Sequence, residues 1–166
     1  MRTLASKRER WVILTTRPAD PDAVTADEAN DGERIECELL AASRISATGA
    51  TTVSEASLCE DEVNVPVQRQ FEGSLTAFSL YNEDGTPSED DVILEALREF
   101  GTRVWILTSK GPEHTEDFED GQGYSLYEVL TDEPQEPSDR GAYFKQVYPL
   151  FVQRAWTNKV IAAGSS

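Results

Sequence analysis

The sequence predicts a mainly β fold, an antiparallel sandwich or barrel with one flanking α-helix. Three observations carry this reading. Five or six runs rich in β-branched and aromatic residues are set apart by Gly, Pro and acidic turn residues. A single stretch, residues 88–100, has helical apolar spacing. The runs also lack the strand–helix alternation of a parallel sheet. With 166 residues the chain suits one domain, residues 1–166, large enough to bury a full core.

Taken in order, residues 11–16 (WVILTT) are β-formers stopped by Arg17 and Pro18, and read as the first strand. Residues 18–32 make a long acidic connection with room for a helical turn over 23–30. Residues 33–42 alternate, with Ile35, Cys37 and Leu39 on one side and Glu36 and Glu38 on the other, the period of a half-buried strand. On that reading Cys37 is a small core residue. Residues 42–67 are rich in Ser, Thr and Ala and weakly periodic. Segments of this length without clear structure are unusual in compact domains. Two forms fit it, an extended hairpin or a loop meant for a neighbour.

Residues 70–81 are the longest strand candidate, followed by a turn at 82–85. The helix comes next. Ser88 with Asp91 three residues later has the capping-box pattern, and Glu89, Asp90 and Asp91 suit the positive end of the helix dipole. Its apolar stripe is Ile93, Ala96, Leu97 and Phe100, and Gly101 ends it. Residues 102–108, 124–131 and 142–152 are three further strands. The tail after Gln153 has no packing signal and is expected to fray.

Charge divides the chain into three zones. Residues 1–17 hold five bases against one acid, residues 140–166 hold four bases and no acid, and residues 18–139 hold 30 acids against six bases. The formal net charge is −16. Such a body repels its own copies and opposes phosphate contacts with nucleic acid. Its cationic ends could still dock on the acidic body of another copy. We therefore expect an N-terminal arm over about 1–10 and a C-terminal arm over about 154–166, with Arg2, Lys7, Arg8, Arg10, Arg154 and Lys159 as the docking cations.

Signatures of chemistry are missing. There is no phosphate-binding glycine loop, nucleophile elbow or paired His. Acidic stretches at 27–32, 82–85 and 116–121 fail calcium-loop spacing and read as solvated loops. His114, among Glu113, Glu116 and Asp117, reads as solvated rather than as a ligand. Cys37 and Cys59 have no metal-type spacing and are expected to stay unbridged. No catalytic residue, cofactor or metal is expected, nor a membrane partner, since no apolar run approaches the roughly 18 residues a span needs. An adhesion or binding module of sandwich type and an acidic DNA mimic remain as other functions that this composition permits.

Five stretches in order add a family likeness. They are LASKRERWVIL at 4–14, LCEDEVNVP at 58–66, FEGSL at 71–75, GTRVW at 101–105 and KQVYPLFVQ at 145–153. With them the chain resembles, over roughly residues 4–153, the major tail tube proteins of long-tailed, non-contractile phages, especially those of actinobacterial hosts. The resemblance implies a tail-tube-like fold and a structural virion protein made in the host bacterial cytoplasm. It also implies hexameric rings stacked into a hollow tube, with inner strands joined into one barrel and the 42–67 segment and termini bridging rings. The implied partners are other copies, the tape-measure protein, and tail terminator and tail-tip proteins. DNA passes through without specific binding. On this reading strand acids Glu36, Glu38, Glu72 and Glu128 are candidates for the lumen wall.

Overall fold

The computed structural model of the chain describes residues 7–55, 59, 63–138 and 141–163. Seven strands form one antiparallel sheet: β1 (Glu9–Leu14), β2 (Glu33–Arg34), β3 (Arg44–Glu55), β4 (Val63–Phe78), β5 (Arg103–Lys110), β6 (Gly123–Thr131) and β7 (Lys145–Val160). Their order is β2-β1-β5-β6-β7-β4-β3. Two short helices, α1 (Ala26–Asn30) and α2 (Val92–Leu97), accompany it. The mainly β, antiparallel class expected from the sequence is the observed one.

The sheet is rolled, and one short segment closes the roll. Ile35 N–H donates to Trp11 O at 3.0 Å, on the outer edge of β1. Five residues on, Leu40 N–H donates to Thr76 O at 2.8 Å and Phe78 N–H to Glu38 O at 3.1 Å, on the outer edge of β4. In a flat sheet these edges would be six strand spacings apart, about 29 Å. The chain from residue 35 to 40 spans at most about 18 Å. The sheet therefore has to curl until its two sides meet across this bridge.

Curling creates an inside. It holds Ile13, Ile35, Ile45, Leu75, Val104, Ile106, Val129, Tyr148 and Leu150, and α2 adds Ile93, Leu94 and Leu97. Fully burying a Leu or Ile contributes roughly 1.5–3 kcal/mol. A second core lies on the other face of β1, β5 and β6, where Val12, Leu14, Trp105, Leu107 and Leu126 are covered by Val24, Ala29, Phe118 and Ile161. These three strands are thus buried on both faces, which is why they read as unbroken apolar runs.

Local chemistry sets the helix ends. Thr25 caps α1 through a capping box with Glu28. Asp91 caps α2, accepting from Leu94 N–H at 3.1 Å, and its other oxygen accepts from Leu80 N–H at 3.2 Å.

Several expectations are corrected. The alternation at 33–42 is not a strand: after β2, residues 36–38 turn, so Ile35 is buried but Cys37 is exposed. The helix is half the expected length, because Asp91 rather than Ser88 supplies the cap; Phe100 consequently lies beyond it, 72% exposed. The helical turn in the acidic connection forms as α1, so two helices rather than one flank the sheet. Of the two forms open for residues 42–67, the extended hairpin is the observed one, with β3 and the first part of β4 as its strands. The C-terminal segment does not fray at Gln153: β7 pairs with β6 as far as Val160, and Ala162 N–H donates to Val24 O at 2.9 Å.

Burial raises the pKa of three of the five tyrosines, Tyr148 most, with Tyr124 and Tyr127. A raised folded-state pKa leaves stability intact below about pH 10, the unfolded tyrosine value, and removes it as pH rises through the folded value. In an alkaline titration these three should ionise together with loss of the circular dichroism signal. Their ionisation near pH 10 in an intact fold would contradict this burial.

Candidate assembly surfaces

The basic N-terminal segment is not a free arm over its described part. Arg10 is fully buried in β1. Its guanidinium donates to Asp117 O at 3.0 Å, Ser109 Oγ at 2.9 Å and Gln122 Oε1 at 2.8 Å, and lies 4.0 Å from the Phe118 ring centroid. Burial, and next the charge of Arg34, pull the Arg10 pKa below its ordinary value, while Glu116, Glu36 and Asp117 oppose this. An Arg stays cationic under these conditions. Arg8 donates to Gly111 O at 2.8 Å and stands 3.6 Å from Glu113. Arg34 donates to Glu116 O at 3.2 Å and to His114 O. Three arginines thus hold the carbonyls of the acidic 111–122 loop against β1. Lys7 is exposed, and Arg2 lies outside the described residues.

The C-terminal cations sit on β7. Lys159 meets Asp22 at 2.9 Å, a hydrogen bond that raises the Lys159 pKa, and Arg154 is exposed opposite Glu128 in the ladder. Arg8, Arg10 and Lys159 therefore serve the subunit's own fold first. Arg154 and Lys7 are the candidates left exposed without such duties.

The four candidate wall acids do not share a surface. Glu36 sits in the turn after β2, paired with Arg34 and accepting from Trp11 N–H at 3.5 Å. Glu128 is buried on β6, 3.1 Å from Arg103. Glu38 is half-buried in the same turn as Glu36, so neither is on a strand. Glu72 alone of the four is exposed on a long strand, opposite Ser46. Most other acids crowd onto the 17–32 connection, the α2 region and the 111–122 loop. His114 lies half-buried with Nδ1 3.7 Å from Cys37 Sγ. Among the described residues no group of His, Cys, Asp or Glu is arranged to hold a metal, and no helix is long and apolar enough to cross a membrane.

Two further surfaces stand out. The first is an arm, within the 42–67 segment that the sequence marks as a hairpin or a loop meant for a neighbour. β7 leaves β4 after the pair Gly73–Leu150, so the farther parts of the two strands diverge around a cleft of about 790 Å³ lined by Arg69, Phe71, Arg154 and Trp156. Beyond this point β4 pairs with β3 alone. Residues 47–54 and 64–70 of the arm are almost wholly exposed, with Arg69 charged among them, and the sequence adds Glu55 at the end of β3 and Glu60, Asp61 and Glu62 in the connection. Val53 and Val65 oppose each other there at 46% and 49% exposure, and Val67 is 58% exposed.

The second is an aromatic patch at the other end of β4. Tyr143 and Phe144 are 72% and 74% exposed. Tyr143 packs edge-on to Phe78 at 5.9 Å and Phe144 to Tyr81 at 5.4 Å, beside a hollow of about 380 Å³. Ser79 N–H donates to Phe144 O at 2.9 Å, fixing this strand end to β4's continuation. Exposed apolar clusters of this kind mark contact surfaces.

The family comparison fits a protein built for contact. A family model described as phage tail tube protein matches residues 1–165, and the chain belongs to that family. It is a structural component of the virion tail, of the kind that assembles with other tail proteins into a tube. No curated protein matches the chain.

The arginine clasp makes a sharp stability prediction. Arg10→Ala strands three oxygen acceptors and uncovers Phe118, and should cost about 3 kcal/mol or more in urea unfolding. Arg8→Ala removes a half-exposed contact and should cost less than about 1 kcal/mol. Equal effects of the two would show that Arg10 is a surface arm residue after all.

Proposed function

We propose that this tail tube protein closes into hexameric rings that stack into a hollow tube, and that genome DNA crosses the lumen during ejection. In this account the tape-measure protein fills the lumen beforehand, and terminator and tail-tip proteins close the ends. One observation carries the reading: the β3–β4 hairpin extends past the rolled body as an arm that packs on nothing else among the described residues. An isolated two-stranded hairpin is marginal in water, so an arm of this length is explained by a neighbour that covers it.

Copies at −16 repel, and the hairpin sets exposed valines and the backbone of β3 against that repulsion. Among the described residues the outer edge of β3, twelve residues long, has no strand beside it, whereas β2 at the opposite edge is two residues long. A free edge of that length invites pairing, and edge pairing between neighbours would continue the sheet around a ring. The side of β4 and β3 that faces away from the roll interior carries Ser46, Ser74 and Thr76 with Glu72 and one cation, Arg44, whose guanidinium donates to Ser46 Oγ at 2.7 Å, a polar wall. Among the four acids first considered, Glu72 is the one this account places in the lumen.

Shortening the arm tests the assembly. Replacing residues 49–69 by Asn-Gly joins Thr48 to Gln70, which are already ladder partners, through a hairpin turn suited to them. The variant should be folded and monomeric, and negative-stain microscopy should show no tubes at any salt concentration. The parent should assemble better as salt is first added, because screening relieves the repulsion between bodies. Normal tubes from the shortened variant would rule out the arm as a bridge. In particles carrying Glu72→Lys the tube should form, and DNA release should slow; unchanged release would remove Glu72 from the lumen.

A further inference from the structure

A thiol and the chain's one imidazole meet at the turn after β2. Cys37 is exposed there, and its Sγ stands 3.7 Å from Nδ1 of His114, a half-buried residue of the acidic loop. The two are 77 residues apart in sequence. One arginine holds both sides of the pair: Arg34 pairs with Glu36, next to Cys37 in the turn, and donates to His114 O. Glu36 also accepts from Trp11 N–H at 3.5 Å. Glu38 N–H donates to Ile35 O at 3.0 Å, and His114 N–H to Lys7 O at 2.9 Å. Thiol and imidazole therefore meet in a fixed frame. Beside them opens a hollow of about 390 Å³, lined among others by Lys7, Glu9, Trp11 and Leu39. That volume is within the range of small-molecule sites.

We propose that Cys37 is a covalent modification site, a nucleophilic thiol with His114 as its general base, and that it takes a small organic disulfide. A nucleophile and a base within hydrogen-bond reach of each other are the arrangement that activates a thiol. With its own proton on Nε2, His114 presents the Nδ1 lone pair to the Cys37 S–H. As the Cys37 sulfur attacks one sulfur of the disulfide, Nδ1 takes the thiol proton. A bond forms between Cys37 Sγ and the attacked sulfur, and the S–S bond of the small molecule breaks. The departing thiolate recovers the proton from the imidazolium and leaves as a free thiol. The protein gains a mixed disulfide, the small disulfide yields one thiol, and no other oxidant takes part. Lys7 and Glu9 give the hollow one charge of each sign, which suits a disulfide with zwitterionic substituents, and Trp11 gives it an apolar wall. Virion surfaces face oxidising surroundings, where disulfides persist. Cys59 has no such base, since the single histidine stands at Cys37.

Thiol kinetics test the site. In the full chain carrying Cys59→Ser, Cys37 is the one thiol, and its reaction with 4,4′-dithiodipyridine can be followed alone. The rate constant should be at least tenfold higher in the folded protein than in the same chain unfolded in urea. His114→Gln should remove most of that advantage while the thermal midpoint holds. Equal rates in the folded and unfolded chain, or an unchanged rate in the His114→Gln variant, overturn the proposal. Should that variant fail to fold, the comparison of folded with unfolded chain decides by itself. Mass spectrometry of the parent protein after incubation with glutathione disulfide should find the adduct on Cys37 in excess over Cys59. Equal amounts on the two cysteines, or none on Cys37, overturn it as well.

Discussion

The bridge between residues 35 and 40 is the constraint on which the rest of the structure depends. Its hydrogen bonds to Trp11 at one end and to Thr76 and Phe78 at the other draw together strands that lie far apart in the sheet order. Without that closure β1 to β7 would be an open, twisted sheet with no inside. With it, the inward rows of six strands and α2 share one core, and Glu36 and Arg34 lock the bridge at the turn. The same bend leaves the far parts of β3 and β4 outside the roll, since the bridge joins β4 near its C-terminal end. The arm is thus a direct consequence of where the roll is closed.

The charge of the chain is sorted by this architecture. Carboxylates lie mainly on connections, helix starts and the 111–122 loop, where water solvates them. Where one is drawn inward it has a definite partner: Glu128 has Arg103, and Asp91 has two backbone N–H groups. The described cations at the chain ends mostly bind the subunit itself. Arg8, Arg10 and Arg34 hold one acidic loop, and Lys159 holds Asp22.

Much of the fold was legible in the sequence, and the failures have physical causes. β1, β5 and β6 were readable because burial on both faces demands unbroken runs of β-formers. The stripe Ile93, Ala96 and Leu97 was readable because it meets one core. The alternation of Ile35, Cys37 and Leu39 misled because three residues cannot distinguish a strand from a turn whose ends are buried. The arm gave weak periodicity because neither of its faces has a core to match. Arg10 looked like an arm cation because its partners, Ser109, Asp117 and Gln122, are about a hundred residues away in sequence. The aromatic patch combines Phe78 and Tyr81 with Tyr143 and Phe144, and no local pattern announces that meeting. The order of short family-like runs was informative where periodicity was not, and the match over residues 1–165 agrees with it.

The central claim is that the arm is unfinished in the single subunit and completed by another copy. Amide hydrogen exchange, compared between dispersed subunits and intact tubes, tests it most directly. The account predicts that amides of residues 47–54 and 64–70 exchange rapidly in the free subunit and become protected by at least a hundredfold in the tube. The amides of β5 and β6, already enclosed by two cores, should change little. Arm amides exchanging at the same rate in both states would contradict the account.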